Sequence, residues 1–171
     1  DVLLAKLRMG YHVLHFIGHG AFEHDGRSSI SAAPQGYLLL EDEERRADPV
    51  PALLLGQMVA DSDLHLAVLN ACETSSNGLE GALGGVAQQF VEGGIPAVVA
   101  MQQTIVDQSS AAFSRAFYGA LTNGWPLDAA VQEGRRGIMT ALGSRWASAG
   151  DWAIPTLYMR APDGRLLEID G

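Results

Sequence analysis

An α/β fold with a mostly parallel sheet is the fold class this sequence predicts, and three observations predict it. Short apolar runs alternate with stretches of helical spacing, the signature of strands connected through helices. The runs are continuous rather than alternating, as expected of strands buried on both faces. With 171 residues and 47% hydrophobic content, the chain has the length of one domain, residues 1–171, with a sizeable core.

In chain order, Val2, Leu3, Leu4 and Leu7 suggest the last turns of a helix, closed by Gly10. Tyr11 to Ile17 reads as a strand, ended by Gly18-His19-Gly20. Residues 21–36 are small and polar, with Asp25-Gly26 and Pro34 as turn signals, and read as a long loop. Tyr37 to Leu40 is a short strand, and the charged run Glu41 to Arg46 is a surface hairpin turn. Pro49 and Pro51 lead into a helix near Ala52 to Ala60, with Leu54, Leu55, Met58 and Val59 at helical spacing.

Leu66 to Asn70 reads as a buried strand, with Cys72 just past its end. A helix from Gly81 to Val91 follows, then a strand from Ile95 to Met101 with Pro96 at its start, where a missing N–H is tolerated. Asp107 caps a helix running to about Leu121, and Pro126 opens another to about Leu142. Ile154 to Met159 is a strand, and Asp163-Gly164 turns the chain into a hairpin partner at Leu166 to Ile169.

The net charge of −9 argues against a nucleic-acid groove or an anionic membrane surface as the default partner. Cys72 is the only cysteine, which excludes an internal disulfide and a CxxC zinc site and fits a reducing, cytoplasmic compartment. No apolar run reaches the length of a membrane span.

The residues that carry chemistry stand at strand ends. In open parallel sheets, sites are built at the carboxyl ends of strands. His19 and Cys72 both fall there, about fifty residues apart, so two neighbouring strands would bring them together. A thiolate is a nucleophile, and an imidazole serves as its base and then as acid for the leaving group. The plainer alternative is a buried structural cysteine and an ordinary loop histidine. His15 shares a strand face with His19, but a metal would need a third ligand such as His24 or Asp25, and no metal site is expected. His12 and His65 are most simply strand residues. The glycines from Gly78 to Gly85 contain neither GxxxxGK[ST] nor GxGxxG, so no nucleotide cofactor is expected. Trp125, Trp146 and Trp152 read as packing residues.

The flanking residues are more specific. Leu14-His15-Phe16-Ile17-Gly18-His19-Gly20, then Val68-Leu69-Asn70-Ala71-Cys72-Glu73-Thr74, then Gly78-Leu79-Glu80-Gly81 strongly resemble the CHAT domain, a relative of caspases and separases often attached to tetratricopeptide repeats. Phe90 to Met101, Val106-Asp107 and Phe113 to Leu121 agree with it, so that the resemblance runs from about Leu14 to Met159.

The resemblance implies a caspase-like α/β/α sandwich and a cysteine endopeptidase, with His19 and Cys72 as the catalytic dyad and the N–H groups of Gly20 and Cys72 as the oxyanion hole. Gly20 has no Cβ to keep a carbonyl away. Family domains usually begin with a further strand and helix, so the first strand-helix unit is expected to be missing here and supplied by a companion fragment or another chain. In separases an acidic residue shortly after the equivalent of Asp107 binds a basic P1 side chain; the matching position here is about Ala111, which is apolar. Asp107 and Glu73 remain the candidate substrate-binding carboxylates, against the plainer readings of Asp107 as a helix cap and of Glu73 as an acceptor for backbone N–H groups of the loop after Cys72. The expected partners are a protein or peptide substrate and a regulatory domain or protein. The alternative is a catalytically idle CHAT scaffold acting as an interaction module.

Overall fold

The computed structural model describes residues 2–23, 35–42, 44–73 and 82–166. Helix α1 (Val2–Leu7) leads through Gly10 into β1 (Val13–Glu23). Then come β2 (Gln35–Glu41), β3 (Ala47–Pro51), α2 (Ala52–Val59), β4 (Leu66–Glu73), α3 (Ala82–Glu92) and β5 (Ala97–Met101). Two long helices, α4 (Asp107–Thr122) and α5 (Leu127–Leu142), precede short helical turns and the last strand, β6 (Pro155–Met159).

The strands form one six-stranded sheet in the order β3-β2-β1-β4-β5-β6. Its centre is parallel: β1 pairs with β4, and β4 with β5. The flanks are antiparallel, with the β2–β3 hairpin beside β1 on one side and β6 beside β5 on the other. The parallel centre is also the core. Leu66 to Leu69 of β4 and Ala97 to Met101 of β5 are all at most 2% exposed. Such strands have no solvent face, which is why their sequences are continuous apolar runs.

The ladder register assigns the two faces. Leu14, Ala67, Val98 and Tyr158 are aligned across four strands, and His15, Val68, Val99 and Leu157 are aligned on the opposite face. Helix α3 lies on the first face, its Gly84 against the Tyr158 hydroxyl, and it packs with α2. Helix α4 lies on the second, where Tyr118 and Ser110 bond His15 and Asn70, and it packs with α5. Phe113 and Phe117 of α4 are fully buried and stacked at 5.3 Å. Their neighbour on α5 is Gly134, where a Cβ would come within 2.5 Å of the Phe113 ring. Helices on both faces of a largely parallel central sheet make an α/β/α sandwich.

Three segments differ from the sequence expectation. Strand β1 does not stop at Gly18; it runs on to Glu23, held by β2 and β4. Ala47–Pro51 is a strand rather than a lead-in to a helix, and its position at the sheet edge explains its prolines, because an edge strand can leave one side undonated. Asp107 does not cap α4: Val106 is the N-cap residue, and Asp107 is the first residue of the helix. His12 and His65 sit just outside β1 and β4, where the His65 N–H donates to the His12 carbonyl at 2.8 Å and the rings approach to 5.1 Å. The strand expected over 166–169 lies outside the described residues apart from Leu166, which is not in a strand.

Candidate active site

The site begins with a register. Strands β1 and β4 are parallel neighbours, and His19 is paired directly with Cys72. Paired residues of adjacent parallel strands lie on one face of the sheet, with strand axes about 4.8 Å apart. Positions 15, 17 and 19 of β1 therefore share a face with positions 68, 70 and 72 of β4. Gly20 is paired with Glu73 in β4 and with Leu38 in β2, and it is buried. His19 is exposed.

His19 and Cys72 thus stand inside strands, not in loops after them. Past Leu69, β4 has lost its β5 neighbour, since the β4–β5 pairing ends at Leu69 and Ala100. What continues is the β1–β4 ladder, with β2 on its outer side. The pair sits on this extension, beyond the end of the buried core. Gly18 also has a different reason from the one its place beside His19 suggests. Its absent Cβ would fall 2.7 Å from the Phe16 ring, which lies over it on the opposite face.

Helix α4 walls the His19 face. Its first turn is fixed by fully buried Ser109, whose hydroxyl donates to Asp151 at 2.7 Å. The Trp146 and Trp152 rings meet edge to face at 6.3 Å, with Trp146 still 43% exposed. One turn into the helix, Ser110 bonds the Asn70 amide. Further along, the Tyr118 hydroxyl meets His15 Nδ1 at 3.0 Å. Burial raises the Tyr118 hydroxyl to about 12 and lowers the His15 imidazole. Both are neutral at neutral pH, and His15 Nε2 is buried with no hydrogen-bond partner among the described residues.

Between helix and sheet lies a cavity of about 410 Å³. Its sheet wall is His15, Ile17, Gly18 and Asn70. Its helix wall carries Asp107, Ser110, Ala111, Ser114 and Tyr118, at one helical spacing. The register puts its Ile17–Asn70 level one step along the same face from the His19–Cys72 pair.

The candidate carboxylate Asp107 lines this cavity, exposed in the first turn of α4. Ala111 is on the cavity wall too, so the apolar position singled out in the sequence does face the site region. Glu73 is the last residue of β4, directly after Cys72. The suggested third metal ligands, His24 and Asp25, lie outside the described residues; among those described, no group of three His, Cys, Asp or Glu could hold a metal ion. Asn70, Ser110, Ser114 and Tyr118 were not anticipated. Asn70 had a signal, a polar residue closing an apolar strand, and the α4 residues had another, a polar stripe at i, i+4, i+8 along one helix face.

A sandwich with a histidine strand and a cysteine strand as parallel neighbours defines the class: a caspase-like α/β fold. The family follows from comparison. The family model for the CHAT domain matches residues 1–159, and the chain belongs to the CHAT domain family. No curated protein sequence matches the chain. No helix among the described residues is long and apolar enough to cross a membrane.

Proposed function

We propose that the protein is a cysteine endopeptidase working through a His19–Cys72 dyad. The observation that carries this reading is the direct pairing of His19 with Cys72 across adjacent parallel strands, on the face that borders the cavity. His19 takes the thiol proton, and Cys72 Sγ attacks the scissile carbonyl carbon to form the tetrahedral intermediate. In this reading the intermediate's oxyanion is met by the N–H groups that the family resemblance assigns, those of Gly20 and Cys72, both of which stand within paired strands. As the C–N bond breaks, His19 returns the proton to the leaving amine. Water, deprotonated by His19, then hydrolyses the thioester and releases the acid. Asp107 and Glu73 are the substrate-contacting carboxylates of this reading. Membership of the CHAT family supports the chemistry and suggests control by an attached domain or partner.

The test is the alkylation rate of Cys72 by iodoacetamide against pH, in the wild type and in His19→Ala. Cys72 is the only cysteine, so the modified site needs no assignment. An isolated thiol titrates near pH 8.5. We expect alkylation to be fast already near pH 6 and to lose that acidic limb in His19→Ala. A titration near 8.5 that is indifferent to His19 would overturn the dyad and leave the fold as a binding scaffold.

A further inference from the structure

We infer that the cavity between α4 and the sheet selects an uncharged, hydrogen-bonding P1 side chain of glutamine type, with Tyr118 as the residue that reads its end. This rests on the peptidase reading above and names its substrate class.

Position comes first. A substrate whose scissile carbonyl sits at the His19–Cys72 pair has its P1 side chain adjacent to the face those residues share. The next level of that face, Ile17 and Asn70, is already cavity wall. The two levels are about 7 Å apart, the span of two strand residues. A P1 side chain of four or five heavy atoms would therefore enter at Ile17 and reach towards Ser114 and Tyr118.

Charge comes second. Among the described residues no lysine or arginine lines the cavity, so a P1 carboxylate entering it would leave water with no lining cation to meet it. Asp107, the one lining carboxylate among the described residues, lies a turn before Ser110 in the first turn of α4, where it is exposed beside the helix N-terminus. A lysine or arginine long enough to pass it would carry its charge in among neutral groups. Those neutral groups are His15, whose neutral form burial favours, and the hydroxyls of Ser114 and Tyr118.

Hydrogen-bonding capacity comes third. A phenol hydroxyl has one donor and two acceptor sites, and the bond to His15 Nδ1 uses one of them. Tyr118 retains capacity for a second partner whichever tautomer His15 adopts. The Ser114 hydroxyl makes no hydrogen bond among the described residues and stands one turn away on the same wall. A hydroxyl pair of this kind matches a carboxamide, which needs both a donor and an acceptor. The apolar lining residues Ile17, Ile105 and Ala111 suit its methylenes.

The experiment uses peptidyl vinyl sulfones with equimolar residue mixtures at P2 to P4 and a single P1: Gln, Met, Lys, Arg or Asp. Cys72 adds at the β-carbon of the vinyl group, the α-carbon takes the proton, and intact-mass spectrometry follows the adduct. The Gln probe is expected to label at least about tenfold faster than Lys, Arg or Asp. Tyr118→Phe keeps the ring and removes the hydroxyl, and should lower the Gln-to-Met rate ratio by at least about fivefold. Ser114→Ala should lower the same ratio. A panel led by Lys, Arg or Asp, or a Gln-to-Met ratio indifferent to both variants, would overturn the inference and leave the peptidase standing. Labelling no faster with any probe than in His19→Ala would remove the peptidase reading, and the inference with it.

Discussion

Strands β1 and β4 run side by side for eight paired positions, yet the two halves of that ladder are different materials. In the first half, β4 is closed in by β5, and Leu66 to Leu69 are at most 1% exposed. In the second half β5 is gone, Ile17 is 74% exposed, and His19 is exposed as well. Side-chain burial holds the first half, whereas backbone pairing on both sides of β1 holds the second. The difference teaches where the fold keeps its stability and where it places the His19–Cys72 pair. A nucleophile in the first half would be inert; the second half, where Ile17 and His19 are exposed, is where the proposed nucleophile stands.

The strongest way to break this comparison is a pair of truncations. Leu69→Ala removes a fully buried side chain from the closed half and should cost about 3–4 kcal/mol in urea unfolding. Ile17→Ala, one strand over and beyond the core, should change stability by no more than about 0.5 kcal/mol. Its effect should appear instead in substrate selection, because Ile17 lines the cavity. Equal destabilisation by the two would mean that the extension is part of the core after all.

The next effect tests the helical layer that carries the cavity wall. Gly134→Ala places a Cβ 2.5 Å from the Phe113 ring, in a contact between α4 and α5 with no slack. Overpacking of this kind should cost about 1–3 kcal/mol, read as a lowered urea midpoint with an unchanged slope. Because α4 also carries Tyr118 and Ser110, the Gln-to-Met probe ratio should fall with it. A neutral Gly134→Ala would mean that α4 and α5 can separate freely and that the cavity wall is not fixed by packing.

The same division explains what the sequence could and could not say. The closed half announced itself, since Leu66 to Leu69 and Ala97 to Met101 are apolar runs, and runs of that kind come from burial on both faces. Apart from Phe22, Gly18 to Glu23 and Ala71 to Glu73 are small or polar, so they read as loops. They are strands because the ladder holds them, and ladder bonds leave no side-chain pattern to read. For the same reason β3 was hidden behind its prolines. The pairing of His19 with Cys72 was legible, through motifs whose spacing implied neighbouring strands. The cavity was not: it depends on how α4 lies against the sheet, which Asn70–Ser110 and His15–Tyr118 set across 40 and 103 residues of chain.

The smallest expected effect concerns His15, which stands at the boundary between the two halves. Burial lowers its imidazole from the ordinary value of 6.5, because charging it would desolvate a cation beside the Tyr118 hydroxyl. A histidine with a lowered folded-state value binds fewer protons folded than unfolded as the pH drops. Stability from the neutral form is therefore complete above about pH 6.5 and declines as the pH falls towards the lowered folded value. His15→Gln abolishes the titration while keeping a polar side chain, so its stability between pH 7.5 and 5 should be flatter than the wild type's. Urea midpoints at four or five pH values across that window would show it. Parallel curves for the two proteins would mean that His15 is hydrated in the folded chain, and that the cavity beside it is wetter and more open to charge than its neutral lining implies.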